Sequence, residues 1–125
     1  MKREGILCFL KKDNEVLLIK VDYGDKVVWN GVSGYVDDGE LRAQAVVREV
    51  QEEVGVELKS QGLEYQNKVK ISDELELHVY TASHWDGSPV PREASILDIS
   101  WFNIENLPYE SMFPGTQKWL PAILK

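Results

Sequence analysis

The chain is nearly without cysteine. Cys8 is the only one in 125 residues, which excludes an internal disulfide and any site built from several thiolates. Its place in the run GILCFL predicts a buried core thiol. Histidine is almost as scarce, and His78 and His84 are not spaced with partners as a zinc site requires. His78 is expected on the polar face of a strand and His84 at a rim or turn. Long apolar runs are also missing. No stretch approaches membrane-spanning length, and MKREGILCFLKK carries an apolar run too short for a signal peptide, so the expected location is cytoplasmic and away from membranes. Positive charge is in deficit, with 14 Lys and Arg against 21 Asp and Glu and a net charge of -7. A long nucleic acid, which needs a basic face to displace counterions, is therefore excluded as a partner. Ser33 lies in GVSGY, which is not a G-x-S-x-G nucleophile elbow, and no P-loop lysine motif occurs. No repeat, linker or low-complexity tract divides the chain, and 43% hydrophobic content suits one domain over residues 1–125.

What the chain does have is a carboxylate-rich segment, GYVDDGELRAQAVVREVQEEVGV, from Gly34 to Val56. On a helix of about 3.6 residues per turn, Glu49, Glu52 and Glu53 lie at i, i+3 and i+4 on one face. Ala43, Val46, Val47, Val50 and Val54 form a separate apolar stripe that would pack on a sheet, leaving the carboxylates at its solvent-open edge. Three carboxylates within a turn repel one another and call for a cation. Hard divalent ions such as Mg2+ take oxygen ligands together with substrate phosphates, and Glu49, Glu52 and Glu53 suit that role. Gly34 is expected in a tight loop where a missing side chain lets its carbonyl approach the metal. Arg48 points aside and can reach back to Glu40, tying loop to helix. Asp37, Asp38 and Gly39 signal a turn before an acidic first helical turn, and Gly55 is the expected left-handed cap. A negative chain opposes an anionic substrate, so bound metal must offset the charge locally. Lys20, Lys26 and Arg42 are the nearby cations in sequence; Lys20 is assigned to substrate, while Lys26 and Arg42 read as surface charge.

Strands surround this segment. EVLLIKV follows GILCFL across a KKDN turn and predicts a hairpin, and residues 74–81 alternate Leu75, Leu77 and Val79 with polar positions. They are expected to pair with residues 63–71 and to end at the DGSP turn. Residues 99–104 read as a further strand, and TQKWLPAIL as a closing amphipathic helix whose regularity Pro121 limits. The expected fold is an α/β sandwich around a mixed sheet.

Written as a pattern, the acidic segment is G-x5-E-x7-R-E-V-x-E-E-x-G-V, and all nine specified positions match the Nudix box. Beyond it, WNGVSGYVDDGE, ELELHVY and WFNIENLPYESMFPGTQKWLPAIL resemble the oxidised purine nucleoside triphosphate diphosphatase branch of the Nudix hydrolases, over most of the chain and thinly before residue 14. The resemblance implies a Nudix α/β/α sandwich with a catalytic loop-helix-loop. It implies attack of a metal-activated water that releases nucleoside monophosphate and pyrophosphate from a small nucleotide, with 8-oxo-dGTP as the branch's substrate. Glu49, Glu52 and Glu53 would hold Mg2+, or Mn2+ in its place, with the Gly34 carbonyl as a further ligand and one glutamate as base. Arg48 is counted with the active-site set, and Glu40 and Gly55 are structural members of the motif. Glu93 is the expected downstream loop glutamate, ahead of Asp98. Asn30 is the expected reader of the base and Phe113 its stacking aromatic, with Trp29 in loop packing.

Two departures bear on substrate. Gly115 and Thr116 stand where the branch has an aspartate pair, and Ser33-Gly34-Tyr35 replaces a double glycine and lysine. A buried protonated carboxyl has no equivalent in Gly or Thr, so recognition of an oxidised base should weaken. The alternatives are a hydrolase of another nucleoside diphosphate derivative, such as ADP-ribose or a dinucleotide polyphosphate, and an idle nucleotide-binding module. The latter is disfavoured by the complete set of carboxylates. Either a monomer or a homodimer fits.

Overall fold

The computed structural model describes residues 3–125; Met1 and Lys2 of the opening segment lie outside it. The chain runs β1 (Arg3–Lys12), β2 (Glu15–Asp22), β3 (Val27–Asn30), β4 (Val32–Tyr35), α1 (Arg42–Val54), β5 (Glu57–Leu58), β6 (Glu64–Ser72), β7 (Leu75–Ala82), β8 (Trp85–Asp86), β9 (Ile96–Asn103), a 3-10 turn (Tyr109–Ser111) and α2 (Thr116–Leu124). The expected hairpins form. β1 turns into antiparallel β2 with Asp13 at φ 57°, a conformation that a short polar side chain tolerates. β6 and β7 pair antiparallel across the turn at residues 73–74.

The sheet is mixed, as expected. One edge of β1 runs parallel to β7 from Arg3 through Leu10. Its other edge is shared, antiparallel β4 taking Gly5 to Cys8 and β2 taking Lys11 and Lys12. β2 carries β9 along one edge, with β1 and β3 on the other. A small β5–β8 ladder stands apart. β9 begins at Ile96, three residues before the predicted strand.

β1 lies between two layers, which explains why residues 6–10 are apolar without alternation. Strand geometry sends alternate side chains to opposite faces. Ile6, Cys8 and Leu10, with Leu17 and Ile19, meet Ala45, Val46, Val50 and Val54 of α1. Leu7 and Phe9, with Val16 and Leu18, meet Leu120, Ile123 and Leu124 of α2. Each fully buried valine of α1 contributes about 1.5–3 kcal/mol relative to exposure. The predicted stripe needs one correction, since Ala43 is exposed and Ala45 takes its place. Val47 is half-buried.

The start of α1 also differs from expectation. Leu41 is its N-cap and no acidic residue lies in the first turn, because Glu40 stays outside the helix. Gln44 instead folds back to accept a hydrogen bond from the Leu41 N–H at 2.8 Å. The C-terminus is as expected, with Gly55 at φ 74° donating to Gln51.

Cys8 is buried, and burial pushes its thiol up to about 12, leaving it protonated and inert. His78 corrects the sequence reading: it is 2% exposed, with the Tyr65 ring of β6 against it. Its Nδ1 shares a 3.0 Å hydrogen bond with the Tyr65 hydroxyl, and its buried Nε2 has no hydrogen-bond partner among the described residues. His84 is exposed in the short link between β7 and β8.

Candidate active site

The three glutamates leave α1 on one face, but they are not equally open to solvent. Side-chain exposure is 51% for Glu52 and 14% for Glu49, while Glu53 as a whole is 8% exposed. The expectation of a solvent-open row thus fails at Glu53. The segment after β8 runs beside it. The Val90 N–H donates to the Val54 carbonyl at 3.0 Å and the Arg92 N–H to the Glu53 carbonyl at 2.9 Å, laying the loop along the end of α1. That loop carries Glu93 close enough for its charge to act on Glu53.

Burial, above all, pushes the Glu53 carboxyl up to about 9, and a hydrogen bond to Glu49 and the charges of Glu49, Glu93 and Glu52 add to it. A protonated Glu53 donating to the Glu49 carboxylate relieves part of the crowding. Arg48 relieves more. Its Nε and Nη2 hold Glu40 at 2.8 and 3.0 Å, as expected, and Nη2 also donates to the Tyr35 carbonyl at 3.0 Å. Nη1 then meets Glu49 at 2.5 Å and Glu52 at 3.4 Å, so Arg48 both ties the loop and enters the carboxylate group. Glu40 is held down to about 2 by Arg48 first and by the Asp37 N–H second.

Gly34 sits in β4, opposite Ile6 of β1, and not in the tight loop expected. Its missing side chain has a specific use. A Cβ here would occupy the place of the Glu49 carboxylate, so glycine lets α1 lay that group against the strand. Every side-chain donor at this spot is a carboxylate oxygen, the hard ligand chosen by Mg2+ or Mn2+, and a cation can replace the proton that now bridges Glu53 and Glu49. The donor set therefore fits a divalent metal. Among the described residues no three acidic, His or Cys side chains already converge as a ligand group, and Glu49 and Glu52 are both drawn to Arg48.

Gly34 also borders a cleft of about 740 Å3 between the sheet and the start of α2. Leu7, Val69, Leu75, Leu77, Phe113 and Trp119 make its walls apolar, and Asn30, Ser33 and Thr116 supply polar groups. Asn30, 9% exposed, donates from Nδ2 to the Tyr23 hydroxyl at 3.3 Å. Phe113 leans on the Tyr23 ring at 5.3 Å, with the Lys26 ammonium 5.4 Å above the Phe113 ring. Lys26, read as surface charge, thus meets Phe113 of the cleft wall. Gly115 and Thr116 turn the chain into α2, the Thr116 hydroxyl donating to the Phe113 carbonyl at 2.7 Å, and no Asp or Glu lines the cleft.

Asn30, Phe113 and Gly34 are therefore brought to one cleft, with Glu49, Glu52 and Glu53 on α1 behind Gly34 and Glu93 on the loop whose charge reaches Glu53. Lys20 is not brought there: it lies within β2, opposite Trp29 and Asp98, and is absent from the cleft lining. Arg42 is a surface cation paired with Glu4 at 2.9 Å. Trp29 packs edge-on against Phe102, within a strand instead of a loop. Sequence reasoning missed Tyr23 and Arg3, whose guanidinium lies 3.5 Å over the Tyr35 ring. No periodicity flags either, since Tyr23 finds Phe113 across 90 residues.

Fold and site define the class, and the NUDIX domain matches residues 1–123. The chain belongs to that family. An oxidized purine nucleoside triphosphate hydrolase of Danio rerio is 31% identical over 100 residues, covering 78% of this chain and 63% of that protein. An NAD-capped RNA hydrolase NudC of Stutzerimonas stutzeri is 31% identical over 110 residues, covering 83% of this chain and 37% of that protein. The chain thus spans less than two thirds of either relative. Among solved structures, a MutT NUDIX hydrolase from Burkholderia pseudomallei superposes with a TM-score of 0.84 at 26% identity, covering 94% of this chain and 95% of that one.

Proposed function

We propose that this protein is a Mg2+-dependent Nudix hydrolase that cleaves nucleoside triphosphates, purine nucleotides foremost, to nucleoside monophosphate and pyrophosphate. The observation that carries the reading is Gly34, which borders the cleft of about 740 Å3 and leaves room where its own Cβ would stand for the Glu49 carboxylate. Substrate phosphates reaching past Gly34 meet the four gathered glutamates. Glu49, Glu52, Glu53 and the Gly34 carbonyl are the assigned metal ligands. Bound Mg2+ would offset phosphate charge and make water a better nucleophile at neutral pH. Glu53, which carries its own proton in the metal-free protein, would accept the water proton once a bound cation had displaced it, with Glu93 beside it. Arg48 holds Glu49 in place from the other side. Asn30 addresses the base edge and Phe113 stacks on its face.

The acid-free cleft end at Gly115 and Thr116 supports ordinary purine nucleotides over 8-oxo-dGTP. A second reading, another nucleoside diphosphate derivative such as ADP-ribose or a dinucleotide, is favoured by relatives named NAD-capped RNA hydrolase NudC, which reach 35% identity. Both readings imply a small-molecule substrate from the cytoplasmic nucleotide pool, handled by a monomer or homodimer. The test is pyrophosphate and phosphate release with Mg2+ across ordinary and oxidised nucleoside triphosphates, ADP-ribose, NAD and dinucleotide polyphosphates. Pyrophosphate from purine triphosphates, abolished by EDTA, is expected. Turnover confined to dinucleotides would establish the second reading, and metal-dependent thermal stabilisation without any turnover would leave a binding module.

A further inference from the structure

We propose that Arg3, held on the Tyr35 ring, binds the outermost phosphate of the nucleotide and makes a triphosphate preferred over a diphosphate. The inference rests on reading the cleft as a nucleotide site. Alternate residues of a strand face opposite sides of the sheet. Glu4 goes to the α1 side, where it pairs with Arg42 at 2.9 Å. Arg3 goes to the other side with Gly5 and Leu7, and both of these line the cleft, as does Leu75 opposite Arg3 on β7. Tyr35 of β4 lies opposite Gly5 and lines the same cleft. The Arg3 guanidinium therefore reaches the Tyr35 ring from the cleft side, 3.5 Å from its centroid.

Stacking occupies one face of a guanidinium and leaves its in-plane N–H donors free, a fork that matches two phosphate oxygens. No carboxylate claims that fork. Among the described residues Arg3 has no ion-pair partner, whereas Arg42 holds Glu4 and Arg48 holds Glu40. Lys70, a cation of the cleft lining, is drawn to Asp73 at 3.2 Å. In a chain of net charge -7, Arg3 is thus a held cation with unused donors, at the end of the cleft where Gly34 makes room for the Glu49 carboxylate. Distance decides which phosphate it takes. Tyr35 stands five residues after Asn30, at most about 17 Å of extended chain. With the base at Asn30, that span carries the sugar and inner phosphates as far as Gly34 and brings the last phosphate to Arg3. A diphosphate stops short of it.

Wild type, Arg3→Gln and Arg3→Lys are compared by kcat/KM with Mg2+ on guanosine triphosphate and guanosine diphosphate, and by Kd for the same two nucleotides in EDTA. The expected result is a wild-type preference for the triphosphate that falls about tenfold or more in Arg3→Gln, the worth of a charge-assisted hydrogen bond, with affinity for the diphosphate kept and the melting temperature within about two degrees. Arg3→Lys keeps the charge without the fork and should recover only part of the preference. Tyr35→Phe keeps the ring and should keep the preference; Tyr35→Leu should lose it, and adding Arg3→Gln to Tyr35→Leu should change the ratio no further. Lys12→Gln, which removes a positive charge at the far end of β1, should leave the ratio as it is. An unchanged ratio in Arg3→Gln, an equal loss on both nucleotides, or a wild type without preference overturns the proposal. Triphosphate turnover with that ratio unchanged would leave the hydrolase reading standing without it. Triphosphate-selective binding that Arg3→Gln abolishes, with no turnover in the wild type, would sink the hydrolase reading alone and leave Arg3 in its role.

Discussion

Replacing Gly34 by alanine should damage the carboxylate group without touching any charged residue. Gly34 is not among the glycines with positive φ, so alanine costs little in backbone conformation. The cost comes from one methyl group, whose position overlaps Cγ, Cδ and Oε2 of Glu49. Ordinary apolar contact requires a retreat of more than about 1 Å. α1 cannot retreat as a body, because Val46 and Val50 are fully buried against the sheet. The Glu49 side chain must swing instead, which breaks its 2.5 Å contact with Arg48 and its bond with Glu53. A displacement of that size typically costs about 100-fold in kcat. Overpacking adds a loss of about 1–3 kcal/mol, or about 4–12 °C of melting temperature for a chain of this length. The assay is Mg2+-dependent pyrophosphate release alongside thermal unfolding. Glu49→Ala in the Gly34→Ala background should restore stability but not activity, with a coupling of about 1–3 kcal/mol. Wild-type turnover in Gly34→Ala, or additive stabilities in the double variant, would refute the packing of Glu49 on Gly34.

Glu53→Gln should lower kcat by about 10²–10⁴-fold while leaving the metal-free protein at least as stable at neutral pH, since the amide removes a crowded buried acid; retained turnover in a steady-state assay would remove Glu53 from the mechanism. Glu40, held near 2 in the fold against an ordinary 4.5, contributes stability that is complete above pH 4.5 and is lost as pH falls from there toward 2. Melting temperature in that window should fall more steeply for the wild type than for Glu40→Gln, and parallel curves would count against the Arg48 pair. Phe113→Ala should raise KM for a purine triphosphate by about tenfold or more through lost stacking, with kcat little changed; an unaltered KM would make Phe113 a lid residue only.

The relation of Arg48, Glu49, Glu52, Glu53 and Gly55 was legible because those residues lie on one helix and its cap, where local geometry alone sets their neighbours. The same locality made the β1–β2 and β6–β7 hairpins and the Gly55 cap readable. Long-range pairing was not legible in the same way. WNGVSGY reads as a loop, yet β1 and β2 recruit it into β3 and β4, because the free edges of those strands supply backbone partners that no local pattern records.

The sequence by itself determined the family, the helix face that bears Glu49, Glu52 and Glu53, and the two hairpins. Only the tertiary structure decided which glutamate is buried, and why Gly34 must lack a side chain. It likewise withdrew Lys20 from the site, brought Lys26 to Phe113, and set Tyr23 against Asn30. These depend on which elements pack together, as where Lys26 and Phe113 meet from opposite ends of the chain. Spacing along one element says which way a residue can face; only the packing of elements says what it meets there.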